Sequence, residues 1–312
     1  MKAAVLTAYE EKLAIKDIDK PAPGEGEVLV KIKASGVNPV DYKLSLGYMK
    51  DKMPTEFPVV LGWDVAGVVA ENGHSARRFR VGEEVYGYAR RPLLHAGTFA
   101  EYIILPESYL SKKPVSIDAK EASAIPLAGL TAYQSLFDAG QLRAKETILI
   151  LGASGGVGSY AVQLAKYHGS EVVAVASEKN HAYLKELGAD HCIDYKEQNV
   201  ADALKVVHAD GVDLVFDAVG GENTKIGEAC LKNNGRIVSI ASQGEDLNEE
   251  TEFHFVFVEP NSRQLDHISE IVDAGNLKVH LHETYKLKDV NEAFAQIKTG
   301  HTRGKLVIDM DA

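Results

Sequence analysis

The sequence predicts an α/β protein in which an antiparallel β region encloses, in chain order, a doubly wound parallel sheet. Two observations carry this reading. Residues 1–114 alternate apolar and polar side chains with period two and are broken repeatedly by glycine and proline, the pattern of short, half-buried strands. Residues 116–275 instead alternate fully apolar strands with amphipathic helical segments. That texture belongs to βαβ units, whose parallel sheet is covered on both faces.

The elements follow in order. EVLVKIKASGV (27–37), WDVAGVVAENG (63–73) and EEVYGYA (83–89) read as strands of a curled antiparallel region. TILILGAS (147–154) is a buried strand, and SYAVQLAKYHG (159–169) is a helix stopped by Gly169. EVVAVAS (171–177) is the next strand, followed by a helix over NHAYLKELG (180–188). HCIDY (191–195), DLVFDAV (213–219), RIVSIA (236–241) and FHFVFV (253–258) continue the series. LKVHLHETYKL (277–287) and RGKLVID (303–309) return to short strands around one helix at residues 289–298. The expected division is therefore one β domain over 1–117 and 275–312, with the parallel-sheet domain over 118–274.

Composition limits the function classes. The 312 residues are 45% hydrophobic and 25% charged, an ordinary globular balance. A net charge of −11 disfavours a general nucleic-acid or acidic-membrane surface. The one basic run, Arg77-Arg78-Phe79-Arg80 with Arg90-Arg91, reads as a solvated face. Two cysteines suit a reducing compartment, and the chain is expected to be cytoplasmic. No run approaches the length of a spanning helix.

The most informative segment is TILILGASGGVGSYAVQLAK (147–166). A strand ends in a loop carrying Ala153, Ser154, Gly155, Gly156, Val157 and Gly158, and a helix begins at once. Glycines there let backbone N–H groups approach a pyrophosphate, and the helix N-terminus stabilises its charge. Ala153, Gly155 and Gly158 fall on the three positions of the G-x-G-x-x-G fingerprint, the first glycine being replaced. Gly152-Ala153-Ser154-Gly155-Gly156 also matches G-x-S-x-G, the nucleophile elbow of α/β hydrolases, with Asp217 and His254 or His280 as conceivable partners. The further Gly156-Val157-Gly158 run and the lack of an upstream HGGG-type segment weigh against it. A third reading is a nucleotide-binding protein with little catalysis.

The second strand ends without the acid that would take the ribose 2′-hydroxyl of NAD. Ser177, Lys179 and, after the third strand, Tyr195 form a set suited to a 2′-phosphate. Glu178 is the discordant residue. The expected cofactor is NADP(H).

Eight segments carry a family resemblance. ASGVNPVDYK (34–43), LGWDVAGVV (61–69), RFRVGEEVYG (78–87), GTFAEYIILP (97–106), IPLAGLTAYQSL (125–136), GASGGVGSYAVQLAK (152–166), FDAVGG (216–221) and RGKLVI (303–308) occur in that order. Together they resemble the medium-chain dehydrogenase/reductase superfamily, most closely its zinc-free quinone oxidoreductase and enone reductase branch. The resemblance implies a GroES-like β-barrel-type catalytic domain beside a Rossmann domain, with NADP(H) in the cleft between them. It also implies hydride transfer to a quinone or to the C=C bond of an α,β-unsaturated carbonyl. By the same resemblance Thr131, Val219, Ala241, Phe257, Val258, Arg303, Gly304 and Lys305 are expected at the cofactor, and Asn38 faces the nicotinamide. Tyr48 is the candidate hydroxyl at the substrate oxygen, with Tyr42 and Trp63 lining the pocket. Asp41 and Asp64 are read as structural.

The chain departs from zinc-dependent members of the family. Asn38-Pro39-Val40 and Trp63-Asp64 stand where those members carry a cysteine and a histidine-glutamate. Cys192 and Cys230 lie elsewhere, and the histidines show no metal-binding spacing, so no metal is expected. The apolar 253–258 strand is expected at the sheet edge, where it would join two copies into a homodimer.

Overall fold

The computed structural model describes residues 1–311. Eight strands precede the parallel sheet: β1 (Lys2–Leu6), β2 (Ala14–Asp17), β3 (Glu27–Val37), β4 (Val59–Val60), β5 (Asp64–Asn72), β6 (Glu84–Tyr88), β7 (Tyr102–Pro106) and β8 (Leu110–Lys112). The sheet itself comprises β9 (Thr147–Leu151), β10 (Glu171–Val175), β11 (His191–Ile193), β12 (Val212–Asp217), β13 (Leu231–Ser239) and β14 (Glu252–Phe255). The chain ends in β15 (Leu281–Lys286) and β16 (Lys305–Asp309).

The chain divides into two compact units. The first holds Met1–Leu130, Glu259–Gly275 and Val279–Ala312, and the second Thr131–Val258 with Asn276–Lys278. The division therefore falls at 130/131, not at 117/118. The helix Ser262–Asp273 belongs to the first unit because its side of the chain is tied there: Tyr86 donates to the Leu265 carbonyl at 2.7 Å and Asp273 accepts from the Ser116 N–H at 2.9 Å.

In the first unit the long strand β3 is the spine. Its first half pairs with β7, its last four residues pair with β16, and β5 runs along most of its length. The sheet order is β15-β16-β3-β5-β6-β8, with β7 branching from β3. The path does not return on itself, so the β-barrel-type domain expected from sequence is built on an open sheet. Its core is Val28, Val30, Ile32, Val65, Val69, Val85 and Leu105, all fully or almost fully buried. These are the inward positions of the period-two pattern.

The second unit is a six-stranded parallel sheet in the order β11-β10-β9-β12-β13-β14. Every residue of β9 is buried, as two-sided coverage demands. The chain enters in the middle at β9, winds out to β11, then crosses back to β12. Connections therefore diverge between β9 and β12, and their C-terminal ends form the position where such sheets bind ligands. The last strand is shorter than the sequence suggested, ending at Phe255 instead of residue 258. It is the terminal strand of the sheet.

Candidate active site

In the second unit the C-terminal ends of the central strands carry the glycine loop. Gly152 has φ +76°, and a Cβ built on it would meet the Val219 side chain at 2.8 Å, so the loops after β9 and β12 touch. At Gly158 a Cβ would lie 2.3 Å from the Gly152 carbonyl oxygen, so this glycine permits the close approach of helix Gly156–Tyr167 to the strand. Gly155 differs from both. Its φ of −75° and ψ of 178° suit any residue, and a Cβ there would meet nothing nearer than 3.4 Å. Neither backbone nor packing requires glycine at 155. A helix N-terminus left open in this way is a place where an anion such as a pyrophosphate can approach backbone N–H groups.

Ala153 is fully buried, its N–H donating to the Val175 carbonyl at 3.2 Å, while Ser154, Gly156 and Val157 are half-buried at the mouth. The sequence reading missed Asn180. Its amide donates to Ser154 Oγ at 3.1 Å and to Ser177 Oγ at 3.3 Å, and so ties both hydroxyls together. Its place three residues after Ser177, in the turn Glu178–Asn180, was the available signal. Lys179 and Tyr195 are exposed beside them, whereas the Glu178 N–H and the Lys196 N–H both donate to Asp194. Those two bonds hold the Asp194 carboxyl below the usual carboxylate range, the Lys196 bond foremost.

Asp217 organises the next turn by accepting from the N–H groups of Val219 and Gly220, each at 2.9 Å, and from the Thr224 and Ser239 hydroxyls. Val219 and Ala241 project exposed from the ends of β12 and β13, Phe257 is partly exposed, and Thr131 and Val258 are buried. The hydrolase reading fails on this geometry. Ser154 has no positive φ, its hydroxyl bonds Asn180, Asp217 is fully engaged elsewhere, and His254 bonds Glu252.

In the first unit the ends of four neighbouring strands converge. Asn38 follows β3, Asp64 opens β5, Tyr88 closes β6 and Lys305 opens β16. Asn38 Nδ2 donates to Asp64 Oδ2 at 2.8 Å, and Lys305 Nζ donates to Asn38 Oδ1 and to the Val37 carbonyl. The ammonium lies 3.5 Å from Asp64 Oδ2, and Asp64 Oδ1 accepts the Leu127 N–H at 2.6 Å. Asp41 Oδ2 accepts the Asn38 N–H at 2.7 Å, whereas its Oδ1 has no hydrogen-bond partner.

Asn38 is 2% and Lys305 4% exposed, and the polar ends of both make hydrogen bonds within the unit. Trp63 is also core, packed edge-on against Tyr88. Tyr42 is half-buried and Tyr48 is 71% exposed. Arg303 is exposed and donates to His280 Nε2 at 3.3 Å, with Gly304 buried beside it.

The same cluster tests the family's catalytic zinc. Positions 38–41 and 63–64 offer an amide, two carboxylates and an indole, with no thiolate or imidazole, and an ammonium already supplies the positive charge. That set does not fit a tetrahedral zinc site. Burial instead pushes Asp41 up to about 8, helped by the Asp64 charge, and raises Asp64 while lowering Lys305. A proton on Asp41 leaves one carboxylate facing one ammonium, a neutral cluster, and spares the unpartnered Oδ1 the cost of a buried charge.

The sign of the pH effect follows. With a folded-state value near 8 against 3.8 for the free group, the native state holds a proton that the unfolded chain releases. Stability should therefore fall as pH rises from about 4 to 8, by at most about 1.4 kcal/mol per pH unit. Asp41→Asn should flatten that slope, its advantage over wild type growing towards pH 8. Urea titrations at pH 5, 6.5 and 8 measure it, and parallel slopes in the two proteins would remove the proton from Asp41.

The basic run carries ion pairs: Arg78 with Asp266 at 2.9 Å, and Arg90 with Glu259 and Arg91 with Glu27, each at 3.0 Å. Among the described residues no helix is long and apolar enough to cross a membrane.

Comparison with known proteins agrees with the geometry. The alcohol dehydrogenase GroES-like domain family matches residues 24–115, and a family described as zinc-binding dehydrogenase matches 187–308. The chain is 32% identical to the chloroplast envelope quinone oxidoreductase homolog of Arabidopsis thaliana, over 93% of this chain and 91% of that protein. It is 35% identical to the 2-methylene-furan-3-one reductase of Solanum lycopersicum, over 96% and 74% respectively. The quinone oxidoreductase structure from Coxiella burnetii superimposes with a TM-score of 0.87 at 30% identity, covering 99% of each chain. The zinc in the second family's description has no counterpart in the donors at positions 38–41 and 63–64, but the fold and the sequence agree with the family. This chain is an oxidoreductase that belongs to the medium-chain dehydrogenase/reductase superfamily, in its zinc-free quinone oxidoreductase branch, whose members use a nicotinamide cofactor.

Proposed function

We propose that the protein is an NADPH-dependent reductase of quinones or of activated C=C bonds in α,β-unsaturated carbonyls, acting without zinc. The observation that carries this reading is the open approach at Gly155, flanked by the Ser154–Asn180–Ser177 hydroxyl cluster and the exposed Lys179 and Tyr195. When bound, the reduced nicotinamide supplies a hydride. The protein's part is binding, orientation and one proton. The N–H groups of the glycine loop hold the pyrophosphate, and Ser177, Lys179 and Tyr195 hold the 2′-phosphate. Val219 and Ala241 offer an apolar wall at the strand ends. The exposed Tyr48 hydroxyl is the donor for the acceptor oxygen, which gains negative charge as the hydride arrives.

Acceptors of this class suit a site without a Lewis acid, since quinones and enones delocalise the added charge themselves. Relatives named for quinone and for 2-methylene-furan-3-one reduction support the assignment. Mixing the protein with NADPH and p-benzoquinone or an enone, and following absorbance near 340 nm, tests it. Cofactor binding without turnover on any acceptor would leave only a nucleotide-binding protein. Lys179→Ala should reduce the preference for NADPH over NADH roughly ten- to a hundredfold, the value of one charge-assisted hydrogen bond. An unchanged preference would move recognition of the 2′-phosphate elsewhere.

The partner we propose is a second copy of the chain, joined through β14. Phe255 is exposed on this terminal strand. The Val256 N–H donates to the Ser239 carbonyl at 2.9 Å, so by strand alternation the Phe255 N–H points away from β13. Phe255→Pro should thus remove an outward donor, spare the internal ladder and shift the protein towards monomer in sedimentation. A wild-type monomer at micromolar concentration would end the proposal. The two free cysteines fit a cytoplasmic setting.

A further inference from the structure

At the end of the parallel sheet opposite the glycine loop, three side chains from three elements meet. Glu171 opens β10, His191 opens the adjacent β11, and His208 caps the helix Val200–Val207. Glu171 Oε1 lies 3.4 Å from His191 Nε2 and 3.3 Å from His208 Nε2, and one donor atom from each residue falls within 4.8 Å of the others. All three side chains are half-buried.

The carboxylate lies within ion-pair distance of both rings, which also pack edge-on against each other. His208 Nε2 is buried and makes no hydrogen bond, although the carboxylate is only 3.3 Å away. The ring nitrogen is not aimed at the oxygen. The two carboxylate–imidazole distances, 3.3 and 3.4 Å, match the donor spacing that a tetrahedral ion imposes when its bonds to nitrogen and oxygen are about 2.0–2.2 Å. Two imidazoles and one carboxylate form a donor set suited to Zn²⁺ and its first-row neighbours, not to Ca²⁺ or Mg²⁺.

We propose that Glu171, His191 and His208 bind one divalent transition-metal ion, of which Zn²⁺ is the type, with water completing the coordination. The site ties the starts of β10 and β11 to the end of a helix. It takes no part in hydride transfer, since Ser177 and the cofactor loop follow the opposite end of β10. The ion stabilises the native unit in proportion to its affinity, because the unfolded chain offers no such set.

Chelator-stripped protein titrated with Co²⁺ should develop the visible absorption bands of a four-coordinate site, and Zn²⁺ should abolish them at one equivalent per chain. Zn²⁺ should also raise Tm. Glu171→Gln and His208→Asn should each weaken Zn²⁺ binding by about a hundredfold, with NADPH binding retained as the check on folding. Absence of the cobalt spectrum in the wild-type chain would overturn the proposal whether or not the variants fold. Zn²⁺ affinity unchanged in both folded variants would overturn it equally.

Discussion

Replacing Lys305 by methionine is expected to cost about 3–5 kcal/mol of folding stability at neutral pH, the penalty for stranding a buried charge by removing its partner. The ammonium is 4% exposed and donates to the Val37 carbonyl and Asn38 Oδ1, 3.5 Å from Asp64 Oδ2. Methionine fills the volume but leaves the Asp64 carboxylate with only the Leu127 N–H and the Asn38 amide. The loss should shrink as pH falls, because Asp64, already raised by burial, then takes up a proton. Adding Asp64→Asn should recover a large part of the stability, since removing both charges is far cheaper than removing one. Urea denaturation of the two variants measures this. A Lys305→Met protein within about 1 kcal/mol of wild type would mean that the ion pair contributes little.

The same cluster shows where reading from sequence stops. β9, β10 and β12 were legible because an apolar strand followed by a helix with period 3.6 admits few topologies, and right-handed crossovers then order the strands. The glycine loop was legible because its residues are contiguous. Lys305 was not. Its place in RGKLVI pointed to the cofactor and gave no sign that the antiparallel pairing of Leu306 with Val37 sets it beside Asn38 in the interior. Asn38, Asp64 and Lys305 are distant in sequence, and only the convergence of strand ends joins them. The packing of Trp63 was hidden for a related reason: Tyr88, on the neighbouring strand, meets it edge-on only once β5 and β6 pair. The open first sheet was hidden because β3 has three partner strands, a branching that period-two alternation does not encode.

Gly155→Asp should separate the two meanings of the glycine loop more sharply than any other single change. If the loop were only a tight strand-to-helix turn, the substitution would be harmless or mildly helpful. The backbone at 155 lies in the extended region that N-caps adopt, no protein atom comes within 3.4 Å of the new Cβ, and aspartate is a better N-cap than glycine by a few tenths of a kcal/mol. Thermal stability of the free protein should accordingly stay level or rise slightly. If the loop cradles a pyrophosphate, the same carboxylate occupies the anion's place and repels what remains of it. NADPH affinity should then fall by more than about a hundredfold, or about 2.7 kcal/mol. Gly158→Ala provides the opposite signature, because its Cβ would lie 2.3 Å from the Gly152 carbonyl oxygen and must lower stability even without ligand. Titration of NADPH fluorescence beside thermal melts of both variants reads the two effects independently. A Gly155→Asp protein that binds NADPH as wild type does would place the cofactor away from this loop.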